Sequence, residues 1–290
     1  MQTAVVVGNF DGVHLGHIHL FKTLKEEALK RGLKPLAITF EPHPAEILKK
    51  GKDFCRITTL DEKRELIKNA FGFDVEVLTF SEEFSQISPE LFIRDYLVGR
   101  FNAELIVVGY DWHFGRGAKG DFETVKRVCS ELGCEAVKVE PYRLGGKVVS
   151  SSLIRGLLRE ARLKEASIYL GRLYWIKRRR EKGLGIASEL GFPTVNLGGV
   201  ENLCLPNGVY SVSVEGLPAI AYLGYAPTIK KLSERVLEVH LLDDGFEEKE
   251  EVRVVFLSYI REEMVFKTAE ELAERVKKDI EKAKELFLIS

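Results

Sequence analysis

Short apolar runs alternate with longer amphipathic segments through the first half of the chain. Residues 3–7 form a continuous apolar, largely β-branched run, and apolar side chains recur with a helical period over 14–31, up to Gly32. Further strands are predicted at 34–40, 75–80, 105–108 and 134–139, and further helices at 60–70, 89–99 (capped by Ser88) and 122–132. Strands without polar alternation, separated by helices, indicate a parallel sheet covered on both faces.

The pattern changes after about residue 150. A helix is predicted over 151–170, and closely spaced strands with turn residues between them follow it. The predicted strands are 172–179, 210–215, 219–223, 236–242 and 251–257, with a tight turn at Glu215-Gly216. A final helix, 269–286, follows Thr268, which we expect to form a capping box with Glu271. The predicted fold class is α/β: a parallel-sheet domain, then a small antiparallel β-barrel or sandwich with a terminal helix.

The length of the chain agrees with two domains, and its charge balance argues against one class of function. The chain has 290 residues, and we expect one domain over 1–157 and a second over 158–290. Lys and Arg number 43 against 44 Asp and Glu, a balance that argues against nucleic-acid binding. No apolar run is long enough for a transmembrane helix, and the N-terminus lacks the basic start of a signal peptide. We therefore expect a cytoplasmic protein with no membrane partner.

The four cysteines agree with a cytoplasmic location. Only Cys129 and Cys134 are close in sequence, and their spacing is not that of a zinc knuckle. We expect all four to be buried, reduced thiols, namely Cys55, Cys129, Cys134 and Cys204.

The segment directly after the first strand is the first candidate for chemistry. Residues 8–17 read GNFDGVHLGH, so glycines stand where ligand and backbone must approach closely, and the next helix offers its N-terminus to phosphate. His14 and His17 share one face of a helical turn and can donate hydrogen bonds to a phosphate in its transition state. An HxxH pair alone is more often surface or core chemistry, but its place after strand one favours a site.

Two further polar segments follow later strands. Residues 108–120 read VGYDWHFGRGAKG, and no Lys-Ser/Thr follows the last glycine, which excludes a P-loop. Residues 149–155 read VSSSLIR; the serines are suited to capping a helix, and Arg155 lies one turn on, where a guanidinium can bind phosphate.

Together with TFEPHP at residues 39–44, these segments resemble the HxGH nucleotidylyltransferases, and specifically the Rossmann-like adenylyltransferase half of bacterial bifunctional FAD synthetases. The resemblance implies that His14 and His17 are catalytic and bind ATP. It further implies an ATP site at Asn9, Phe10, Gly12, Ser151, Ser152 and Arg155, and flavin or phosphate contacts at Asp111 and Arg116.

A second candidate lies in the predicted barrel, where residues 191–196 read GFPTVN. If this segment is extended, Thr194 and Asn196 lie on the same side, and their oxygens suit Mg²⁺. In the strand at 236–242, Glu238 and His240 lie opposite the apolar face, where a solvated glutamate is the default. GFPTVN resembles the riboflavin kinase motif, which implies Mg²⁺ ligands at Thr194 and Asn196 and a general base at Glu238.

The resemblance covers nearly the whole chain, with two departures. Ala187 and Ser188 stand where the family usually has Gly and Arg, and residues 243–248 (DDGFEE) replace its usual stretch after the catalytic strand. Both departures concern ATP binding by the kinase. Two interpretations of the basic run 177–180 stay open. It compensates for the changed ATP contacts, or it is an ordinary solvated strand end.

We therefore expect a bifunctional enzyme that uses ATP and Mg²⁺ to convert riboflavin to FMN and FMN to FAD. Its expected partners are riboflavin, FMN, FAD and ATP, without nucleic acid or an obligate protein partner. Two alternatives stay open: an adenylyltransferase whose second domain binds flavin without phosphorylating it, and a flavin-responsive regulator without catalysis.

Overall fold

The computed structural model describes residues 1–48, 54–181, 194–225, 235–243 and 249–289. They form two compact units. The first contains Met1–Phe54 and Thr58–Ser151, and the second contains Cys55–Ile57 and Ser152–Ser290. The short segment Cys55–Ile57 therefore belongs to the second unit, although its neighbours in sequence belong to the first.

The first unit is built on a parallel sheet with strand order β3-β2-β1-β4-β5. Its strands are β1 (Thr3–Val7), β2 (Lys34–Glu41), β3 (Asp74–Thr79), β4 (Ala103–Gly109) and β5 (Glu135–Val139). All residues of β1 are buried, as expected for a strand with helices on both faces. The strand order reverses at β1, so a crevice is expected at its carboxyl end. The predicted parallel sheet is confirmed.

The helices of the first unit begin and end close to their predicted bounds. They are α1 (Leu15–Arg31), α2 (Pro44–Leu48), α3 (Leu60–Phe71), α4 (Pro89–Leu91, continued by a π-helix over Phe92–Arg100) and α5 (Phe122–Leu132), with 3₁₀ turns at Phe84–Gln86 and Arg116–Ala118 and a hairpin of β6 (Arg143–Leu144) and β7 (Lys147–Val148). Ser88 accepts a hydrogen bond from the Leu91 N–H, and Gly32 ends α1 in the left-handed conformation, both as predicted. Helix α2 and the hairpin were not predicted because both are too short for a periodic pattern.

Two helices replace the single one predicted over 151–170. They are α6 (Ser151–Arg159) and α7 (Leu163–Leu170). The chain turns between them because Ala161 adopts a left-handed conformation, with φ of 54°. This break carries no glycine or proline, the residues that usually mark one in a sequence.

The second unit is a closed barrel with strand order β10-β11-β12-β9-β8-β13. Its strands are β8 (Tyr174–Glu181), β9 (Thr194–Leu197), β10 (Gly208–Val214), β11 (Leu217–Tyr225), β12 (Arg235–Leu241) and β13 (Glu251–Arg261). The hairpin of β10 and β11 turns at Glu215-Gly216, which confirms the predicted turn. The core of this unit contains buried apolar residues of the barrel and of α6 and α7.

The barrel is followed by α8 (Ala269–Leu288). Thr268 accepts a hydrogen bond from the Glu271 N–H, as predicted, but the Glu271 carboxylate accepts from the Lys267 N–H instead of completing a capping box. A complete capping box is found at Thr59 and Glu62, at the start of α3.

The expectation of four reduced cysteines is wrong for two of them. Cys55 and Cys204 form a disulfide, with 5.0 Å between their Cα atoms. The Arg56 N–H donates to the Asn202 carbonyl at 2.9 Å, so backbone pairing brings the two thiols together. Because 149 positions separate them, their spacing does not reveal the pair. Cys129 is a buried free thiol, as predicted, and Cys134 is a free thiol that is half-buried.

Candidate active sites

The loop that joins β1 to α1, residues 8–14, is the centre of the first candidate site. Two of its non-glycine residues, Phe10 and Val13, adopt left-handed conformations with φ of 48° and 41°. Such conformations are unfavourable for bulky or β-branched side chains and persist only where the surroundings impose them. Within the loop, the Val13 N–H donates to the Phe10 carbonyl at 3.1 Å. The remaining support comes from residues outside the loop.

Residues from other elements hold the loop by hydrogen bonds: Thr58, Ser151 and Thr39 bond it directly, and Lys63 bonds Thr39. Thr58 bonds both Asp11 and Gly12, and the Ser151 hydroxyl donates to the Asp11 carbonyl at 2.9 Å. The Thr39 hydroxyl donates to the Asn9 carbonyl at 3.2 Å and accepts from the Lys63 ammonium at 3.0 Å. Apart from Ser151, these supporting residues were not among the predicted site residues. They lie outside the glycine-rich motif, and nothing in their own spacing marks them.

The two predicted histidines lie against each other where α1 begins. Their rings are stacked, with centroids 3.6 Å apart and an interplanar angle of 18°. His14 is the N-cap of α1, and its Nδ1 accepts a hydrogen bond from the His17 N–H at 3.3 Å. Because Nδ1 is the acceptor, the proton of a neutral His14 ring lies on Nε2, which makes Nε2 a donor for an anion.

Gly16 separates the two histidines, and the packing explains why no side chain stands there. A Cβ atom on Gly16 would lie 2.8 Å from the Val149 carbonyl oxygen and 3.1 Å from the His14 ring. Any larger residue would therefore push the imidazole away from the helix N-terminus. The HxGH spacing is thus a packing requirement of the stacked pair.

A cavity of about 440 Å³ opens beside this loop in the first unit. Gly8 and Asn9 of the loop line it. Its walls are otherwise strongly aromatic, formed by Phe40, Phe80, Phe84, Phe92, Trp112 and Phe114. The Trp112 and Phe114 rings are stacked, with centroids 4.1 Å apart. An apolar, aromatic cavity with a few polar groups is suited to a planar aromatic ligand.

The other predicted residues of this site are distributed over two regions. Asp111 and Arg116 are exposed in the loop after β4, of which Trp112–Gly115, Gly117 and Ala118 supply part of the cavity wall. Ser151 ends the first unit and bonds the loop 8–14, whereas Ser152 and Arg155 belong to the second unit. There the Arg155 Nε donates to the Cys55 carbonyl at 3.1 Å.

The second candidate site is a row of polar residues across two strands of the barrel. β12 pairs with β9 so that Glu238 lies opposite Asn196 and His240 lies opposite Thr194. All four side chains are half-buried, whereas Leu237 and Val239 are fully buried in the core. Thr194–Leu197 is extended, which meets the condition on which Thr194 and Asn196 were placed on the same side, and the predicted polar face of β12 is confirmed. Directly opposite residues on antiparallel strands have neighbouring Cβ atoms.

Burial affects the chemistry of Glu238. Desolvation raises the pKa of its carboxyl group above the ordinary glutamate value. On the neighbouring strand, Tyr222 lies opposite Glu238, and its hydroxyl donates to the Glu263 carboxylate at 2.6 Å. A carboxylate with a raised pKa is a stronger proton acceptor, which suits a general base.

Several predicted features lie outside the described residues. They are residues 191–193 of the GFPTVN motif, the substituted positions Ala187 and Ser188, and most of the replaced stretch 243–248. Among the described residues, no group of three or more His, Cys, Asp or Glu side chains could hold a metal ion. The same part of the chain contains no helix long and apolar enough to cross a membrane.

Two family models match two successive parts of the chain. The model of the FAD synthetase family matches residues 1–153, and the model of the riboflavin kinase family matches residues 170–287. Proteins named bifunctional riboflavin kinase/FMN adenylyltransferase match nearly the full length. The Escherichia coli K12 protein is 33% identical over 98% of this chain and 92% of its own, and the Bacillus subtilis 168 protein is 33% identical over 99% and 93%.

The chain belongs to this family. It is a transferase with a riboflavin kinase region and an FAD synthetase region. The predicted family and both predicted activities are thereby confirmed.

One solved structure matches almost the whole chain. A Streptococcus pneumoniae protein described as a macrolide-efflux protein is 28% identical, with a TM-score of 0.79 over 98% of this chain and 94% of that one. The similarity supports the two-unit fold of this chain.

Proposed function

We propose that the two activities of this bifunctional enzyme are divided between its two sites. Residues 1–157 transfer the adenylyl group of ATP to FMN, and residues 158–290 phosphorylate riboflavin with ATP. The observation that carries this proposal is that each site has the groups its reaction needs: stacked histidines at a helix N-terminus beside an aromatic cavity, and a half-buried glutamate on the strand next to two neutral oxygen ligands.

The aromatic cavity is the proposed flavin site of the first unit. Isoalloxazine is planar and largely apolar, so it gains from contact with aromatic side chains such as Trp112 and Phe114. Asn9 lines the same cavity and belongs to the loop that precedes His14. FMN bound there directs its phosphate toward the histidines.

In adenylyl transfer, an FMN phosphate oxygen attacks the α-phosphorus of ATP, and pyrophosphate leaves. Negative charge builds up on the phosphate oxygens, and the Nε2 donor of His14 and the neighbouring ring of His17 stabilise it. The N-terminus of α1 contributes its partial positive charge. Family resemblance assigns the remaining contacts to ATP and flavin phosphate, at Asn9, Phe10, Gly12, Ser151, Ser152, Arg155, Asp111 and Arg116.

In riboflavin phosphorylation, Glu238 accepts the proton of the terminal ribityl hydroxyl, whose oxygen attacks the γ-phosphorus of ATP. The raised pKa of the Glu238 carboxyl group makes it a stronger base than an exposed glutamate. Thr194 and Asn196 would hold Mg²⁺, because a hydroxyl and an amide oxygen are hard ligands and lie on the same side of β9. When bound, Mg²⁺ neutralises charge on the transferred phosphate.

We further propose that the enzyme works in the cytoplasm, on flavins and ATP, without nucleic acid or an obligate protein partner. The near-equal numbers of acidic and basic residues support the absence of a nucleic-acid partner. A disulfide is unusual in this compartment, except in hyperthermophiles, whose intracellular proteins are rich in disulfides. The charged content of 30% agrees with such an origin.

The test is turnover of riboflavin with ATP, with and without Mg²⁺, followed by chromatographic separation of FMN and FAD. We expect FMN to appear first and FAD to follow, with both dependent on Mg²⁺. FAD from added FMN, without any FMN from riboflavin, would indicate an adenylyltransferase with a second unit that only binds flavin. Failure to form either product would indicate a flavin-binding regulator.

A further inference from the structure

The loop 8–14 cannot hold its own conformation, because Phe10 and Val13 both have left-handed backbones. We propose that Thr58, together with Lys63 acting through Thr39, positions this loop for adenylyl transfer. We call these three residues the loop clamp. The proposal rests on the assignment of adenylyl transfer to the first unit.

Thr58 holds the middle of the loop, between the two strained residues. Its N–H and its hydroxyl both donate to the Asp11 carboxylate, at 2.9 and 3.2 Å, and its hydroxyl accepts from the Gly12 N–H at 2.8 Å. Thr58 and Asp11 are only 3% and 2% exposed, so water has little access to take the place of these hydrogen bonds if they are lost. Only a hydroxyl side chain can donate and accept at the same time in this place.

Lys63 holds the start of the loop through Thr39. A hydroxyl has one hydrogen, and that of Thr39 goes to the Asn9 carbonyl, so Thr39 accepts its bond from the Lys63 ammonium. Thr39 is fully buried and Lys63 is 3% exposed. A charged donor polarises the hydroxyl that it bonds, which strengthens the hydrogen bond that this hydroxyl donates. Asn9 in turn lines the aromatic cavity, so this part of the clamp sets the edge of the proposed flavin site.

The clamp determines where the first histidine lies, since His14 directly follows Val13. If the loop relaxes to ordinary backbone angles, the N-cap position and the stacked rings move relative to the cavity. A misplacement of about 1 Å at a reacting centre can cost about a hundredfold in rate. We therefore expect loss of the clamp to lower kcat for FAD formation rather than only to lower stability.

The first experiment compares two adjacent threonines in the full-length enzyme. T58V keeps the shape of the side chain and removes its hydroxyl, and we expect kcat for FAD formation from FMN to fall by about 10- to 100-fold. T58S, which restores the hydroxyl, should recover most of that loss. T59A is the matched control, because Thr59 caps α3 and makes no bond to the loop among those described; it should lower the melting temperature and leave kcat for FAD formation nearly unchanged.

The second experiment tests the connection through Thr39. K63M removes the bond from Lys63 to Thr39, and T39V removes that bond and the bond from Thr39 to the Asn9 carbonyl. We therefore expect both variants to lower kcat, and the double variant to be little worse than T39V. Independent, multiplying effects would contradict the proposed chain. The melting temperature of every variant checks the folding of the first unit, because riboflavin phosphorylation is assigned to the other unit.

The outcomes distinguish the clamp from the function on which it rests. The clamp is overturned if T58V has wild-type kcat, or if T58V and T59A lower FAD formation equally, while H14A lowers it strongly. If H14A leaves FAD formation intact, the assigned active site is wrong, and the proposal of the clamp is wrong as well. A melting temperature of T58V far below that of T59A would mean unfolding of the first unit, and the kcat values of T58S and T39V then test the clamp.

Discussion

The two proposed sites of this enzyme are built by different means. In the first unit, the proposed reacting groups are on a loop and a helix N-terminus, and strained backbone at Phe10 and Val13 is held by residues distant in the sequence. In the second unit, the register of two antiparallel strands brings Glu238 opposite Asn196 without any strained residue among these partners. A loop site needs external support, whereas a strand site takes its geometry from the backbone ladder.

This difference predicts how each site responds to substitution. Changes outside the glycine-rich motif can displace the loop site, because its supports lie in β2 and at the start of α3. The strand site should respond mainly to changes in its own side chains, since backbone hydrogen bonds fix the distances between them. The following substitutions test the division of labour from the largest expected effect to the smallest.

E238Q should have the largest effect. Glutamine keeps the size of the side chain but cannot take a proton, so riboflavin phosphorylation should fall by about 10²- to 10⁴-fold. FAD formation from added FMN should stay at the wild-type rate. The two rates are measured separately by chromatography. E251Q is the control, because Glu251 is an exposed, ion-paired glutamate of the same barrel; equal losses in both variants would contradict the base assignment.

H14A and H17A should each lower FAD formation by about 10²- to 10³-fold, the usual effect of removing a transition-state donor. Riboflavin phosphorylation should be unchanged, and initial rates of both reactions provide the comparison. His19 on the same helix contacts Tyr142 and takes no part in the stacked pair, so H19A is the matched control. A loss of both activities in H14A would point to misfolding instead.

W112A tests the aromatic cavity. Loss of this ring should raise the KM for FMN in FAD formation by roughly tenfold, because an aromatic contact is worth about 1 kcal/mol beyond its buried area. The other tryptophan, Trp175, lies under the Arg253 guanidinium in the barrel, so W175A should leave this KM unaltered. An unchanged KM in W112A would exclude this cavity as the FMN site.

The smallest effect concerns pH. Since burial raises the pKa of the Glu238 carboxyl group, this base becomes protonated at a higher pH than an exposed glutamate, whose pKa is about 4.3. As pH falls through the raised pKa, kcat/KM for riboflavin phosphorylation should decline. The kcat/KM for FAD formation should not show this decline. Rate profiles of both reactions over the acidic range check this. A phosphorylation limb at or below the ordinary value would show that Glu238 is not the titrating base.

The sequence predicted the elements well because they depend on local patterns. Strand β1 and the polar face of β12 follow from periodicity, and the stacking of His14 on His17 agrees with their spacing. Thr58 and Lys63 were missed because their role depends on which distant groups they reach: the Asp11 carboxylate and the Gly12 N–H for Thr58, and the Thr39 hydroxyl for Lys63. The disulfide was missed for the same reason, since only the pairing of Arg56 with Asn202 brings its cysteines together.

The Cys55–Cys204 disulfide makes the polypeptide a covalent ring with two tails. Residues 1–54 form one tail and residues 205–290 the other. Both large sheets join ring to tail: β2 and β1 of the first tail pair with β3 and β4 of the ring, and β10 to β13 of the second tail close a barrel with β8 and β9 of the ring. Closing a ring of this size removes conformational entropy from the unfolded chain, which stabilises the folded state by about 5 kcal/mol. A backbone cut within the ring therefore leaves both tails covalently connected, so the fragments separate on a denaturing gel only after reduction.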